Sequence, residues 1–260
     1  MHCRCERRLP GVNGGPSPPA IKIGVMLPTF AATSGPAIEA ARRADTVGLH
    51  GVFAYNHIWP LGQPGKPAIW PFPLLGAVAA STTHVALGTL VARVGITPID
   101  VLLGELFSLD VLSGGRLVAG VGTGDALSHD EHVAYGLPYA PTADRRAHLG
   151  EVVARLTEGG VATWVGGGGP KTRDLARSLG ATVNLWSATP GEVAREAALG
   201  PVSWGGRWPG GLDPAAELIN ELGEAGATWA VFTWPGSAEQ VAAAAQHAGI
   251  VLEPAPPTAA

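Results

Sequence analysis

The chain has 260 residues, 46% of them hydrophobic and 15% charged, with a formal net charge of -4. That apolar content excludes a wholly disordered chain, and the mildly acidic balance gives no basis for non-specific nucleic-acid binding. The length suits one α/β barrel or two ordinary domains.

Residues 1–20 carry Gly, Pro and Arg but no apolar h-region, so they read as a disordered leader rather than a signal peptide. Cys3 and Cys5 form only C-x-C with no second cluster, so no zinc site is expected. A fold without disulfides suits a reducing cytoplasm. A membrane span is not expected either, because no run reaches the roughly 18 apolar residues it needs.

From residue 21 onward, short runs rich in Val, Ile and Leu alternate with longer amphipathic stretches. Eight such runs occur, at 21–28, 51–56, 85–92, 116–121, 162–165, 182–186, 202–204 and 228–233. They are too short for helices and read as buried parallel strands. The stretches between them carry helix signals. Ser34 and Asp213-Pro214 look like N-caps, and Thr189-Pro190-Gly191-Glu192 and Ser237-Ala238-Glu239-Gln240 look like capping boxes. Gly48, Gly114, Gly159, Gly180, Gly200, Gly226 and Gly249 stand where helices should stop. Leu149, Val152, Val153 and Leu156 form one core-facing stripe. Residues 251–260 read as a disordered tail.

Eight strand–helix units within residues 21–250 predict an α/β fold, a single-domain (β/α)8 TIM barrel, whose usual size is about 250 residues. The rival is a doubly wound open sheet. It would normally place G-x-G-x-x-G after its first strand, where this chain has Met26-Leu27-Pro28-Thr29-Phe30.

In a barrel, function collects on the loops that follow strands. Those loops carry the unusual residues here. Asn56-His57-Ile58-Trp59 follows the second strand and Arg93 the third, and Gly122-Thr123-Gly124-Asp125 follows the fourth. Gly166, Gly167, Gly168 and Gly169 follow the fifth, and Trp186, Trp204, Trp208 and Trp234 end the last three. Tryptophans on one rim suit a planar ligand, or they plug the barrel mouth; composition alone does not choose. The glycine run before Pro170-Lys171 suits an anion at a helix N-terminus, with Lys171 adding charge; a flexible turn is the simpler reading, but four glycines are costly in entropy. His57 carries an imidazole, which exchanges protons near neutral pH, although a lone His is more often structural. Asp125 reads as an acid, a base, a hydroxyl acceptor or a helix cap. His129-Asp130-Glu131-His132 has metal-ligand residue types, but adjacent helix positions diverge, so a solvated face is preferred.

These segments resemble the luciferase-like monooxygenases, flavin- or deazaflavin-dependent oxidoreductases. The resemblance rests on residues 21–28, 41–48, 52–57 and 87–91, on Leu109-Asp110-Val111-Leu112-Ser113-Gly114-Gly115-Arg116-Leu117 running into Gly120-Val121-Gly122-Thr123-Gly124, and on Trp164-Val165-Gly166-Gly167-Gly168 with Pro170. It implies coenzyme F-420 (a deazaflavin) or FMN at the barrel mouth, with contacts from Asn56, Thr123, Gly124 and a third-strand bulge at Leu90 and Val91 that often holds a non-prolyl cis peptide. It implies that the glycine loop holds the cofactor phosphate. His57 matches the active-site His of deazaflavin-dependent members. Gly122-Thr123-Gly124-Asp125-Ala126-Leu127-Ser128 is similar to a segment of deazaflavin-dependent sugar-phosphate dehydrogenases, which puts Asp125 in the place of their catalytic acid.

The chain departs from that pattern in three ways. Asn56 replaces the usual Asp, Asp125 replaces Glu, and the long insertion before the fifth strand is missing. The expected activity is hydride transfer between coenzyme F-420 and a small organic substrate, with His57 and Asp125 catalytic. Trp59, Arg93, Trp186 and Trp234 are expected to line the substrate pocket. The alternatives are an FMN-dependent monooxygenase using oxygen and a non-catalytic flavin-binding carrier. The resemblance leaves a homodimer open; no nucleic-acid or membrane partner is expected.

Overall fold

The computed structural model describes residues 21–124, 126–166 and 168–254. The expected leader, Asp125, Gly167 and residues 255–260 lie outside them. All eight expected strands form: β1 (Lys22–Met26), β2 (Gly51–Ala54), β3 (Ala86–Arg93), β4 (Leu117–Gly122), β5 (Ala162–Gly166), β6 (Thr182–Trp186), β7 (Val202–Gly206) and β8 (Ala227–Phe232). They pair in parallel in sequence order, and β1 closes on β8, which makes the predicted barrel. The layer outside is built from α1 (Gly35–Thr46), α2 (Pro71–Ser81), α3 (Ile99–Ser113), α5 (Thr142–Glu158), α6 (Pro170–Ser178), α7 (Pro190–Ala197), α8 (Leu212–Glu224) and α9 (Ala238–His247). A short α4 (His129–Ala134) sits in the loop after β4. Among the described residues no helix is long and apolar enough to cross a membrane.

Helix starts follow local chemistry only in part. Thr189 and Glu192 form the full reciprocal capping box of α7. Ser237 Oγ accepts from Gln240 N–H, but the return bond of a box is missing, and the Ser237 hydroxyl donates to Glu239. Ser34 is the N-cap residue of α1 without a side-chain cap bond. Asp213 is not a cap: α8 starts at Leu212 with Gly211 before it, so Asp213 lies in the first turn. There its charge still favours the N-terminal end of the helix dipole. Leu252 is buried in the main core cluster, so packed chain runs past the point where a tail was expected to begin.

The barrel interior is filled by a separate cluster of Met26, Phe53, Leu90, Val118, Trp164, Trp229 and Val231. Phe53 stacks on Trp164 at 5.1 Å, and Trp164 meets Trp229 edge-on at 5.3 Å. Such rings reach across the barrel and need small residues on the strands they meet. A Cβ at Gly51 would come within 2.8 Å of the Trp229 ring. Between sheet and helices the larger core runs on, and the α5 stripe of Leu149, Val152, Val153 and Leu156 is fully buried in it.

One buried acid ties the helix layer to the sheet. Asp45 on α1 accepts from the N–H groups of Thr83, His84 and Val85 and from the Thr83 hydroxyl, just ahead of β3. Burial pushes its carboxyl up, but these bonds outweigh burial and hold it below the ordinary value. A depressed carboxyl contributes stability above its unfolded pKa and loses it as pH falls through the folded value. Asp45→Ala should therefore cost about 3 kcal/mol at neutral pH and flatten the acid limb of the stability profile below about pH 4. Urea titrations of both proteins from neutral to acid pH would show it; parallel profiles would refute it.

Candidate active site

Because all strands run the same way, their C-terminal ends share one mouth. The loops after them enclose a cavity of about 930 Å³. Phe30 follows β1, and Tyr55 and His57 follow β2. Leu90, Val91 and Arg93 come from β3, Thr123 and Gly124 from beyond β4, Gly166 and Gly168 from β5 and its loop, and Trp186 from the end of β6. The Leu90–Val91 peptide is cis, and the β3–β4 register shifts between Thr89 and Ala92. The bulge implied by the resemblance is therefore present, and it turns both side chains to the cavity.

The polar centre of the mouth is built around Glu131, on α4. Its carboxylate is fully buried. One oxygen lies 2.7 Å from His57 Nδ1. The other accepts from Ile58 N–H at 2.9 Å and from Arg93 Nη2 at 2.7 Å. Burial pushes Glu131 up, but the His57 hydrogen bond, the Ile58 N–H and the Arg93 charge together hold it below the ordinary range. An ionised carboxylate only accepts, so the His57 nitrogen facing it, Nδ1, is the donor, and Nε2 is the nitrogen left to face the cavity. His57 lines the cavity, and Nε2 has no protein partner among the described residues. The ring is thus oriented, with Nε2 toward the cavity.

Arg93 is 3% exposed, and its Nε and Nη1 have no hydrogen-bond partner among the described residues. Its backbone N–H donates to Asn56 Oδ1 at 2.9 Å. Asn56 is therefore a buried tie between the ends of β2 and β3 and does not line the cavity. Arg145 on α5 donates to the carbonyls of Thr123 and Gly124 at 2.6 and 3.1 Å, which fixes the loop after β4. Phe30 and Tyr55 stack nearly parallel at 5.2 Å, and burial pushes the Tyr55 phenol up to about 12.

Among the expected site residues, His57, Leu90, Val91, Arg93, Thr123, Gly124, Gly166, Gly168 and Trp186 meet at this cavity. Asp125 and Gly167 lie outside the described residues. Gly169 is the N-cap position of α6. Lys171 is exposed and lines a separate surface groove with Arg146 and Asp174, away from the mouth. On the first turn of α6 it is Arg173 that reaches the cavity wall. Trp59 and Trp234 are half-buried and off that wall. Trp204 and Trp208 pack edge-on against Phe232, so the expected tryptophan rim reduces to Trp186. The solvated face expected at residues 129–132 is a correction: Glu131 and His132 are buried, because α4 turns that side toward the barrel. Glu131, Arg145, Phe30 and Tyr55 were missed. Only Glu131 had a sequence signal, its place in the cluster.

Residues 21–161 match the model of a family described as luciferase-like monooxygenase. That stretch contains His57, Arg93 and Glu131 and ends before the glycine run. The chain is 32% identical over 122 residues to an F-420-dependent glucose-6-phosphate dehydrogenase of Amycolatopsis mediterranei, and 34% over 145 residues to that of Nakamurella multipartita. These matches span 46% and 55% of this chain but only 36% and 41% of those relatives' own length. Among solved structures, an F-420-dependent secondary alcohol dehydrogenase superposes with a TM-score of 0.73 at 14% identity, over 88% of this chain and 98% of that one. The F-420-dependent tetrahydromethanopterin reductase of Methanopyrus kandleri gives 0.66 at 13%, over 86% and 97%. A monooxygenase of Streptomyces bottropensis gives 0.64 at 19%, over 87% and 97%. At these identities the structures show a shared fold.

Proposed function

Because the chain belongs to the luciferase-like monooxygenase family, we propose that the mouth binds coenzyme F-420 and that the protein is an oxidoreductase moving a hydride between it and a small organic substrate. The observation that carries this reading is the His57–Glu131 pair, a proton-exchanging ring facing a cofactor-sized cavity. The matched relatives named as F-420-dependent dehydrogenases support the choice of deazaflavin.

The residues present fit such a group. A Cβ added at Gly168 or Gly169 would meet no protein atom within 4 Å, so that backbone borders open space where a phosphate can approach. Arg173 lines the same cavity, although it shares its charge with Glu196. Leu90 and Val91 offer an apolar platform for a flat ring, and Thr123 and Gly124 sit on a loop that Arg145 pins. When bound, the deazaflavin supplies the hydride acceptor or donor. The protein's part is to orient the ring, exclude water and manage the accompanying proton at His57 Nε2. Glu131 holds that ring in the right tautomer and stabilises the imidazolium that forms.

Titration of the purified protein with F-420 and with FMN, read by fluorescence quenching, tests the cofactor. Tight FMN binding without F-420 binding would favour the oxygen-dependent monooxygenase instead. Gly168→Ala should raise the coenzyme Kd at least about tenfold (about 1.4 kcal/mol) with an unchanged urea midpoint, since the added Cβ meets no protein atom within 4 Å and enters the open space beside the loop. An unchanged Kd would move the phosphate elsewhere.

A further inference from the structure

Resting on that reading, we infer that the substrate is an amphiphilic acid: a flat aromatic or alicyclic body carrying one carboxylate or phosphate. The body would be received by the ring-lined side of the mouth. Phe30 and Trp186 are 40% and 47% exposed there, although both are large apolar side chains. Tyr55 joins them, parallel to Phe30 and edge-on to Trp186 at 6.2 Å. Exposed rings that line a cavity, rather than scatter over a surface, are sites for apolar partners.

The charge would be received beside them, across the β6–β7 pair. Trp186 pairs with Gly205, two residues ahead of Arg207. Arg207 and Arg195 both line the cavity, both are exposed, and neither guanidinium makes a hydrogen bond or ion pair among the described residues. The acids on that wall are already engaged. Glu196 holds Arg173 and Arg177, and Glu192 closes the α7 capping box on Thr189, its charge also attracting Arg195, so Arg207 is the less engaged of the two guanidinium groups. The wall therefore offers two guanidinium groups, the side chain best matched to a carboxylate or phosphate.

Next to Trp186 on the same cavity wall is Ser187, the one described non-glycine residue with φ in the left-handed region, at 55°. Its neighbours hold it there. Ser187 N–H donates to Gly205 O at 2.6 Å, Trp204 Nε1 donates to Ala188 O at 2.8 Å, and Thr189 caps α7. A backbone conformation that costs energy and is pinned from three sides belongs to a built site. It leaves Ser187 exposed on the cavity wall, where its hydroxyl can donate to the same anion. A sugar phosphate would use the charges but leave the exposed rings uncovered.

The test is calorimetric binding to the protein saturated with F-420, and to the protein alone, using naphthoate, its neutral analogue naphthylmethanol, and glucose 6-phosphate. Naphthoate should bind at least fivefold more tightly than either, with Trp186→Leu losing affinity for both naphthyl probes. Arg195→Gln/Arg207→Gln should abolish the preference for naphthoate over naphthylmethanol and leave the F-420 Kd unchanged. Tighter binding of glucose 6-phosphate, or equal binding of the two naphthyl probes, would overturn the proposal. So would a loss of F-420 affinity in the double variant, which would assign both arginines to the cofactor's own anionic tail. If F-420 fails to bind while naphthoate binds through these arginines, the cofactor reading falls and the acid site stands.

Discussion

Glu131→Gln is expected to lower turnover about 100-fold while leaving F-420 affinity within about threefold of wild type. The amide keeps the shape of the carboxylate but loses its charge. His57 then has no anion to fix Nδ1–H or to stabilise its protonated form. Glu131→Ala removes more. It leaves the Arg93 guanidinium buried without the only charge partner it has among the described residues, at an expected cost of about 3–5 kcal/mol in stability. The two variants separate a positioning role from a structural one. If turnover falls only as far as the folded fraction does, Glu131 is a structural residue alone. Its lowered carboxyl also sets a sign: the stabilisation is present above the unfolded pKa and fades as pH falls through the folded one. Glu131→Gln should therefore lose less stability than wild type on acidification.

His57→Ala carries the second large effect. Turnover should fall about 100- to 10,000-fold with coenzyme binding retained, because the ring faces the cavity but forms no part of the glycine cradle. Stopped-flow reduction of F-420 beside an equilibrium titration measures both quantities. Unchanged turnover would remove His57 from the catalytic machinery, and coenzyme binding with no turnover even in the wild type would favour a flavin-binding carrier.

The barrel was legible because its signals are periodic. Short buried strands, the α5 stripe and the turn glycines each repeat a strand–helix alternation, and the absence of G-x-G-x-x-G after the first strand chose the barrel over an open sheet. Boundaries slipped where pattern gives way to pairing. β7 was read as ending at Trp204, yet it continues through Gly205 and Gly206, because both pair with β8. Glycine there is a spacer for the Trp204 ring, which a Cβ at Gly206 would strike at 2.3 Å.

The site was legible at the strand ends and obscure elsewhere. His57, Arg93, the Leu90–Val91 bulge and the glycine loop lie where a strand delivers them. Glu131 comes instead from a six-residue helix, too short for any periodicity to say which side faces inward. Lys171 and Arg173 differ by two positions on a helix, which turns one outward and the other to the cavity. The tryptophans misled for the period-two version of the same reason. Trp204 points from its strand to the helix layer, while Trp186 stands free at the rim.

The proposed function requires one mouth to serve one flat cofactor. A crystal structure of the F-420 complex tests that most directly. It should place the ring against Leu90 and Val91, with His57 Nε2 within about 3 Å of a polar or reacting atom, and the phosphate at Gly168 and Gly169. Coenzyme found in the outer groove beside Lys171, or a ring turned away from His57, would contradict it.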